Sequence, residues 1–177
     1  MHLRTIEINK KSDLDFVERL YIESFPNNER RPVKEFLRLM EKEKDFVVLL
    51  VVNNDGEHIG FLTCWNFETF VFGEHFAVSA EFRDEGFGGK ALNAFIKKAG
   101  KPIVIEVELP ETDIAKRRIG FYMRHNFNLW DVEYAQPPYM KGGEPVPMRL
   151  MTYGDINLNK DFEYIKQAIN EKVYSLS

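Results

Sequence analysis

The chain has 177 residues, of which 44% are hydrophobic and 29% charged, so it is long enough for one domain with a substantial core and too short for two average ones. The formal net charge of −4 argues against a nucleic-acid-binding protein, since such proteins are usually basic. The single cysteine, Cys64, excludes an intramolecular disulfide. The charged first residues lack the apolar stretch of a secretory signal, and no apolar run approaches the ~20 residues of a membrane span. We therefore expect a single cytoplasmic domain over residues 1–177, with no nucleic-acid or membrane partner.

The first half of the chain predicts one strand, two helices and three further strands. Apolar and polar residues alternate over residues 3–8, and apolar residues recur at helical spacing after the N-capping residues Ser12 and Asp13. Pro26 and Pro32 bracket a polar loop, and residues 53–56, Asn-Asn-Asp-Gly, form a strong hairpin turn. The predicted elements are a strand at 3–8, helices at 12–25 and 33–42, and strands at 46–52, 58–67 and 70–78.

The second half predicts helices alternating with strands. Apolar residues recur at helical spacing from Ala91 to Ala99, and the run Ile-Val-Ile-Glu-Val-Glu-Leu after Pro102 reads as a strand that Pro110 ends. The remaining predicted elements are a helix from 112 or 113 to 125, strands at 127–135 and 147–153 around a loop at 136–144, and a helix at 161–174. This order predicts a mixed α/β (α+β) sheet, antiparallel at first and then containing a β-α-β crossover.

A glycine-rich turn between the predicted strand at 70–78 and the next helix indicates an anion site. Strand, turn and helix together present free backbone N–H groups, and the positive end of a helix dipole, to an anion. A nucleoside-triphosphate loop would need Ser or Thr after Lys90, where the chain has Ala91. The glycine spacing also differs from the G-x-G-x-x-G of dinucleotide-binding folds. The segment consists of Arg83, Asp84, Glu85, Gly86, Phe87, Gly88, Gly89 and Lys90.

The same segment resembles the acyl-CoA-binding segment of the GCN5-related N-acetyltransferases, the GNAT family. In that family a strand ending in an apolar-Ala-Val sequence is followed by Arg or Gln, x, x, Gly, x, and Gly or Ala. Here Phe76, Ala77 and Val78 match the strand, and Arg83-x-x-Gly86-x-Gly88 matches the turn.

A second match lies downstream, where the family has a helix with an aromatic-Tyr pair and a short ending in Gly-Phe. This chain has Phe121-Tyr122 and then Asn126-Phe127, and Asn tolerates the left-handed conformation that the helix end requires. The resemblance implies a GNAT-like, mostly antiparallel, six- to seven-stranded twisted sheet with helices on both faces and a central β-α-β acyl-CoA-binding unit.

The resemblance also implies acetyl-CoA as co-substrate, without a metal. Its pyrophosphate would lie on the N–H groups of residues 83–88, its pantetheine beside residues 76–78, and the N–H near Val78 would polarise the thioester. The two parallel strands would splay apart to make room, and Tyr122 would be the general acid. The cofactor-binding residues that the resemblance gives are Phe76, Ala77, Val78, Arg83, Asp84, Glu85, Gly86, Phe87, Gly88, Gly89, Lys90 and Tyr122.

The proton acceptor stays open between two glutamates. Glu106 and Glu108 alternate with apolar residues on one strand, and two carboxylates on one face predict a wet cleft. By resemblance, Glu106 is the leading catalytic base. Glu74 is its rival and is predicted to share a face with Phe76 and Val78, and the absence of a dedicated base is the third possibility. We interpret His75 as a hydrogen-bonded histidine and Cys64 as an apolar filler.

The sequence therefore predicts an N-acetyltransferase that moves an acetyl group directly to a primary amine of a small molecule or peptide. The alternatives are a non-catalytic acyl-CoA-binding module or a protein-interaction domain that uses the loop at 136–144. Loops at 27–31 and 136–144 are expected to shape the acceptor site, with Trp65, Phe67 and Tyr139 as an aromatic wall. A monomer or a homodimer is expected.

Overall fold

The computed structural model describes residues 1–175, which form eight strands and five α-helices. In chain order these are β1 His2–Thr5, α1 Lys11–Ser24, α2 Val33–Lys42, β2 Phe46–Val52, β3 His58–Asn66, β4 Val71–Val78, α3 Phe87–Ala99, β5 Ile103–Glu108, α4 Asp113–Arg124, β6 Asn128–Leu129, β7 Tyr134–Gln136, β8 Val146–Tyr153 and α5 Leu158–Ile169. A wider helical turn, Asn170–Tyr174, follows α5, and we call it the C-terminal turn. Within residues 1–175, no helix is long and apolar enough to cross a bilayer.

All eight strands belong to one mixed sheet, as predicted. Its order is β1-β2-β3-β4-β5-β8-β6, and β7 also pairs with β8. The β4–β5 pair is parallel, and the other pairs are antiparallel.

The single strand predicted over residues 127–135 is wrong, because this stretch forms two short strands instead. Leu129 pairs with Met151, whereas Tyr134 pairs with Met148. Between these two pairs the chain moves five positions from Leu129 to Tyr134 but only three positions along β8. The extra residues between β6 and β7 therefore lie outside the sheet. An apolar and alternating sequence does not reveal such a change of register.

Helices cover both faces of the sheet, as the resemblance implied. The face under α1, α2 and α5, which we call the front face, buries Tyr21, Phe36 and Ile169 against the sheet. The face under α3 and α4, the back face, buries Leu92 and Phe95. Each fully buried Leu, Ile or Phe side chain contributes roughly 1.5–3 kcal/mol through removal of apolar surface from water.

A β-bulge in β4 decides which way Glu74 points. Thr63 pairs with His75 and Cys64 pairs with Gly73, so Glu74 is an extra residue without a partner on β3. Glu74 and His75 consequently both contact front-face side chains, while Phe76 contacts Phe121 on the back face. The predicted alternation, with Glu74 on the face of Phe76, is wrong at this point.

The parallel pair separates after three residues, as expected. Pairing runs from Val71 with Ile103 to Gly73 with Ile105 and then stops. Beyond that point, among the described residues, β4 pairs only with β3 and β5 pairs only with β8. The gap leaves one edge of each strand without a neighbouring strand, at the centre of the sheet.

Candidate active site

A cleft of about 610 Å³ opens where β4 and β5 separate. Its walls come from β4 and the turn that follows it, from β5, from the end of α1 and from one side of α4. The chemistry-bearing residues on these walls are Glu74, Glu106, Arg83, Arg118 and Tyr122. The gap thus brings together side chains from three segments that the sequence analysis singled out.

The free edge of β4 turns backbone groups into this cleft. The N–H of Ser79 donates to Ile59 on β3 at 2.9 Å, and Ala77 is paired across from Phe61. Because alternate residues of a strand point their backbone groups to opposite edges, those of Phe76 and Val78 point away from β3 and toward the gap. The Val78 N–H therefore points into the cleft.

The turn before α3 leaves backbone N–H groups without partners in the part of the chain that the structure describes. Gly86 has φ +76° and Asp84 has φ +65°, so the chain turns through left-handed conformations as it enters the helix. Within residues 1–175, no carbonyl or side chain accepts from the N–H groups of residues 84–88. The first turn, Phe87 to Lys90, carries no acidic side chain. The free backbone N–H groups and the positive end of the α3 dipole therefore suit the binding of an anion.

Arg83 and Gly89 have roles at this turn that the sequence did not reveal. Arg83 Nε donates to the Val78 carbonyl at 3.1 Å, which ties the turn to the end of β4. A Cβ on Gly89 would lie 3.1 Å from the His125 ring, closer than side chains normally pack. A Cβ on Gly88 would make ordinary contacts with Phe121. Gly89 therefore permits close packing of α3 against the end of α4.

Tyr122 lines the cleft from α4, between the rings of Phe121 and Phe127. Burial raises the pKa of its hydroxyl to about 12, and the nearby Arg118 partly opposes the shift. Within residues 1–175, no group hydrogen-bonds to this hydroxyl. Tyr122 is therefore a protonated donor that is available to a ligand in the cleft.

Glu106 lines the same cleft from β5 and accepts hydrogen bonds from two tyrosines. The Tyr174 hydroxyl donates to Oε2 at 2.6 Å, and the Tyr134 hydroxyl donates to Oε1. Burial raises the pKa of Glu106 to about 7, although both hydroxyls act in the opposite direction. A carboxyl group that titrates near neutral pH is suited to taking a proton from an amine.

Glu74 has very different partners. Its side chain is fully buried and pairs with the buried Arg31. The Trp65 indole donates to it at 3.0 Å and the Tyr139 hydroxyl at 3.1 Å. Burial alone would raise the pKa of Glu74, but the Arg31 guanidinium holds it well below its usual range. This carboxylate stays ionised and already accepts hydrogen bonds from three side chains, so it is poorly suited to accept a proton.

Three further candidates are in fixed structural roles. His75 Nε2 lies 3.2 Å from the Glu29 carbonyl, which can only accept, and Nδ1 lies 3.1 Å from the Thr63 hydroxyl. Both ring nitrogens are therefore engaged, as in the hydrogen-bonded histidine that we expected. Burial raises the pKa of the Cys64 thiol to about 12, which keeps it unreactive. Glu108 pairs with Arg118 beside the cleft.

The expected acceptor loops contribute differently from the prediction. Trp65, Phe67 and Tyr139 are all buried in the front-face core and form no exposed aromatic wall. Arg31 is also buried, and its backbone N–H donates to the Tyr21 hydroxyl at 2.8 Å. The end of α1, with Glu23, Ser24 and Phe25, lines the cleft instead.

The comparisons with known proteins agree with this architecture. The sequence model of the acetyltransferase (GNAT) family matches residues 14–127. The chain belongs to the GNAT acetyltransferase family. It is 32% identical over 166 residues, 82% of this chain and 83% of the other, to YjbC of Bacillus subtilis (strain 168), which carries the provisional description of an acetyltransferase.

Solved structures of other proteins have the same fold. One from Bacteroides thetaiotaomicron, provisionally described as a GNAT-family acetyltransferase, is 36% identical with a TM-score of 0.95, and each chain is covered completely. The Arabidopsis thaliana NAA60 complex with acetyl-CoA has a TM-score of 0.62 at 19% identity, covering 85% of this chain and 96% of that one. The predicted family, its fold and the acyltransferase class are confirmed.

Sequence reasoning missed three residues that shape this GNAT cleft. Arg31 enters the sequence analysis only as part of the loop at 27–31, and Tyr134 and Tyr174 have no role there. Tyr134 and Tyr174 both lie beyond the matched segment 14–127. The signal for this pair lay on the other partner, because a glutamate on a buried strand, such as Glu74, needs a charge partner. For the tyrosines, the sequence contains no comparable signal.

Proposed function

We propose that this protein transfers the acetyl group of acetyl-CoA directly to a primary amine of a small molecule or peptide. The pyrophosphate would bind the free N–H groups of residues 84–88, and the thioester would lie in the gap beside Val78. The strongest support for the proposal is that Glu106, whose carboxyl group has a pKa near 7, and the hydroxyl of Tyr122 line the same cleft.

The reaction would proceed in three linked steps. The neutral amine attacks the thioester carbon, and the Val78 N–H stabilises the oxyanion that forms. Glu106 takes the proton that the nitrogen releases, directly or through water. The carbon–sulfur bond then breaks, and the departing thiolate gains a proton, so that the products are an amide and a thiol.

Tyr122 would act chiefly as a hydrogen-bond donor to the departing sulfur. Its pKa of about 12 lies above the ~8.5 of a free thiol, so a hydrogen bond to the sulfur is favoured over complete proton transfer. A hydrogen bond from the hydroxyl stabilises the thiolate without that transfer. The protonated Glu106 releases to solvent the proton that it took from the amine nitrogen, and the thiolate gains one proton from solvent, so that the base is regenerated and the protons balance.

Binding of the cofactor is tested by thermal shift. Acetyl-CoA at about 100 times its Kd should stabilise the protein by ~2.7 kcal/mol, which corresponds to a Tm increase of roughly 5–10 °C for a chain of this size. Acetyl-pantetheine, which lacks the pyrophosphate, is the matched control and should give a smaller shift. Equal shifts for the two compounds would contradict the anion site at α3.

Catalysis is tested by thiol release from acetyl-CoA with a library of primary amines. Tyr122→Phe should lower kcat by about 10²-fold, because the departing sulfur loses its hydrogen-bond donor, while the Kd for acetyl-CoA stays unchanged. Tyr164→Phe, at an exposed tyrosine of α5, is the control. Full turnover in Tyr122→Phe would remove this residue from the mechanism. Binding without turnover of any amine would favour the non-catalytic alternative.

A further inference from the structure

The C-terminal turn reaches the centre of the sheet from outside the segment that defines the family. Lys172 Nζ contacts Asp45 Oδ2 at 2.7 Å and the Asn66 carbonyl at 2.9 Å, which fixes the turn to the ends of β2 and β3. The Val173 carbonyl accepts a hydrogen bond from Arg31. Tyr174, 6% exposed, then points its hydroxyl at Glu106.

The two carboxylate oxygens of Glu106 each receive one neutral donor. Tyr174, from the C-terminal turn, donates to Oε2, and Tyr134, from β7, donates to Oε1. Two hydroxyls from different elements, one on each oxygen, fix both the rotation and the tilt of the carboxylate plane. A carboxylate has about four acceptor positions, so each oxygen keeps one for a ligand in the cleft.

The identity of the donors is as important as their number. A cation in place of either hydroxyl would hold Glu106 ionised and weakly basic, as Arg31 holds Glu74. Apolar groups would leave the buried carboxylate without partners and raise its pKa further. The charged or titratable groups around Glu106 are Tyr134, Tyr174, Tyr139, Glu74 and Arg31, with Tyr122 across the cleft.

We propose that Tyr134 and Tyr174 are positioning residues for Glu106: their hydroxyls orient its carboxylate toward the cleft, which makes the C-terminal turn part of the active centre. The inference rests on the proposed function, in which Glu106 accepts the proton of the amine. It adds that residues outside the family's matched segment set the basicity of that group.

The direct test measures the titration of Glu106 by NMR, and it does not require that the protein be catalytically active. In protein labelled with ¹³C-glutamate, the carboxyl resonance absent from Glu106→Gln identifies Glu106, and NMR follows its shift with pH. Tyr174→Phe removes one donor to the ionised form, so the midpoint should move up by about one pH unit. Tyr134→Phe should act likewise, and the double variant should move the midpoint further. Tyr164→Phe should leave it unchanged.

The kinetic test uses the pH profile of kcat/KM at saturating acetyl-CoA. The acid limb, where Glu106 gains a proton and activity falls, should move upward in Tyr174→Phe by the amount that NMR gives. At pH values below the midpoint of this limb, kcat/KM of Tyr174→Phe should be about 3–10-fold lower than that of the wild type. Above the midpoint the loss should be smaller. The Kd for acetyl-CoA should stay within a factor of two, because neither tyrosine contacts the anion site.

The outcomes separate this inference from the proposed function. If the Glu106 midpoint is the same in wild type, Tyr134→Phe and Tyr174→Phe, the inference is overturned whatever the activity. A uniform loss of activity at every pH, with an unmoved limb, also overturns it, since that indicates a purely structural role. If instead the NMR midpoint moves but Glu106→Gln keeps full activity, the tyrosines do control this carboxylate and the proposed base is wrong.

Discussion

Glu74 and Glu106 lie on neighbouring strands beside one cleft, yet their surroundings give them opposite properties. Glu74 has a buried cation, Arg31, and two neutral donors, Trp65 and Tyr139. Glu106 accepts hydrogen bonds from two neutral hydroxyls and, in the described part of the chain, from no cation. Burial raises the pKa of both, but only Glu74 has a charge that reverses the effect. The charge of the partner, and not burial, distinguishes the two sites.

The size of this difference explains the division of roles that we propose. A shift of one pKa unit corresponds to 1.36 kcal/mol, so moving Glu106 from 4.5 to about 7 costs its ionised form roughly 3 kcal/mol. That cost makes the ionised carboxylate a stronger base at neutral pH. Glu74 is stabilised as an anion, so it can anchor Arg31 but cannot readily take a proton. The two carboxylates can be distinguished experimentally by removing each partner in turn.

The largest effect is expected for Glu106→Gln. If Glu106 accepts the amine proton, kcat/KM should fall by about 10²–10⁴-fold. In the wild type, activity should rise with pH through about 7, because only the ionised carboxylate is a base. This acid limb should be absent from the pH profile of the variant.

Glu108→Gln is the matched control for that variant. It removes the same charge from the same face of β5, two residues away, where Glu108 pairs with Arg118. Its kcat/KM should stay within about threefold of the wild type, since a pair near the surface contributes little, and the acid limb should remain. An acid limb that persists in Glu106→Gln would place the titrating base elsewhere.

A large loss of stability is expected for Arg31→Met. The substitution leaves Glu74 buried without its cation, which typically costs about 3–5 kcal/mol of unfolding free energy. Chemical denaturation at pH 7 measures the loss. Because the wild-type pKa of Glu74 is depressed, its stabilising contribution is present above the unfolded-state pKa and is lost as the pH falls. The difference in unfolding free energy between wild type and variant should therefore become smaller as the pH falls.

The double variant Arg31→Met with Glu74→Gln provides the control. It removes the cation and the charge together, so it should recover part of the stability that Arg31→Met loses. If the double variant lost as much unfolding free energy as Arg31→Met and Glu74→Gln lose separately and in sum, the two residues would not be coupled. A loss below 1 kcal/mol in Arg31→Met would show that Glu74 finds another charge partner.

The sequence predicted the features of the site that depend on local pattern. The strand-turn-helix segment at Gly86 and the alternation around Glu106 follow from spacing, and the structure has both elements. The direction of Glu74 could not be predicted, because one extra residue opposite Thr63 reverses the alternation of β4. Contacts across long separations, such as Arg31 with Glu74 or Tyr174 with Glu106, have no periodic signature. They depend on how the helices pack over the front face.

The smallest effect is expected for Tyr139→Phe, which removes one hydroxyl from Glu74 and keeps the ring contacts with His75 and Tyr174. Since Arg31 and Trp65 still hold the carboxylate, the loss should be about 1–2 kcal/mol of unfolding free energy, measured by denaturation. The pH midpoint of the acid limb of kcat/KM should be unchanged in Tyr139→Phe, whereas it should shift in Tyr174→Phe. A limb that moved in both variants would mean that the two carboxylates titrate as one coupled pair.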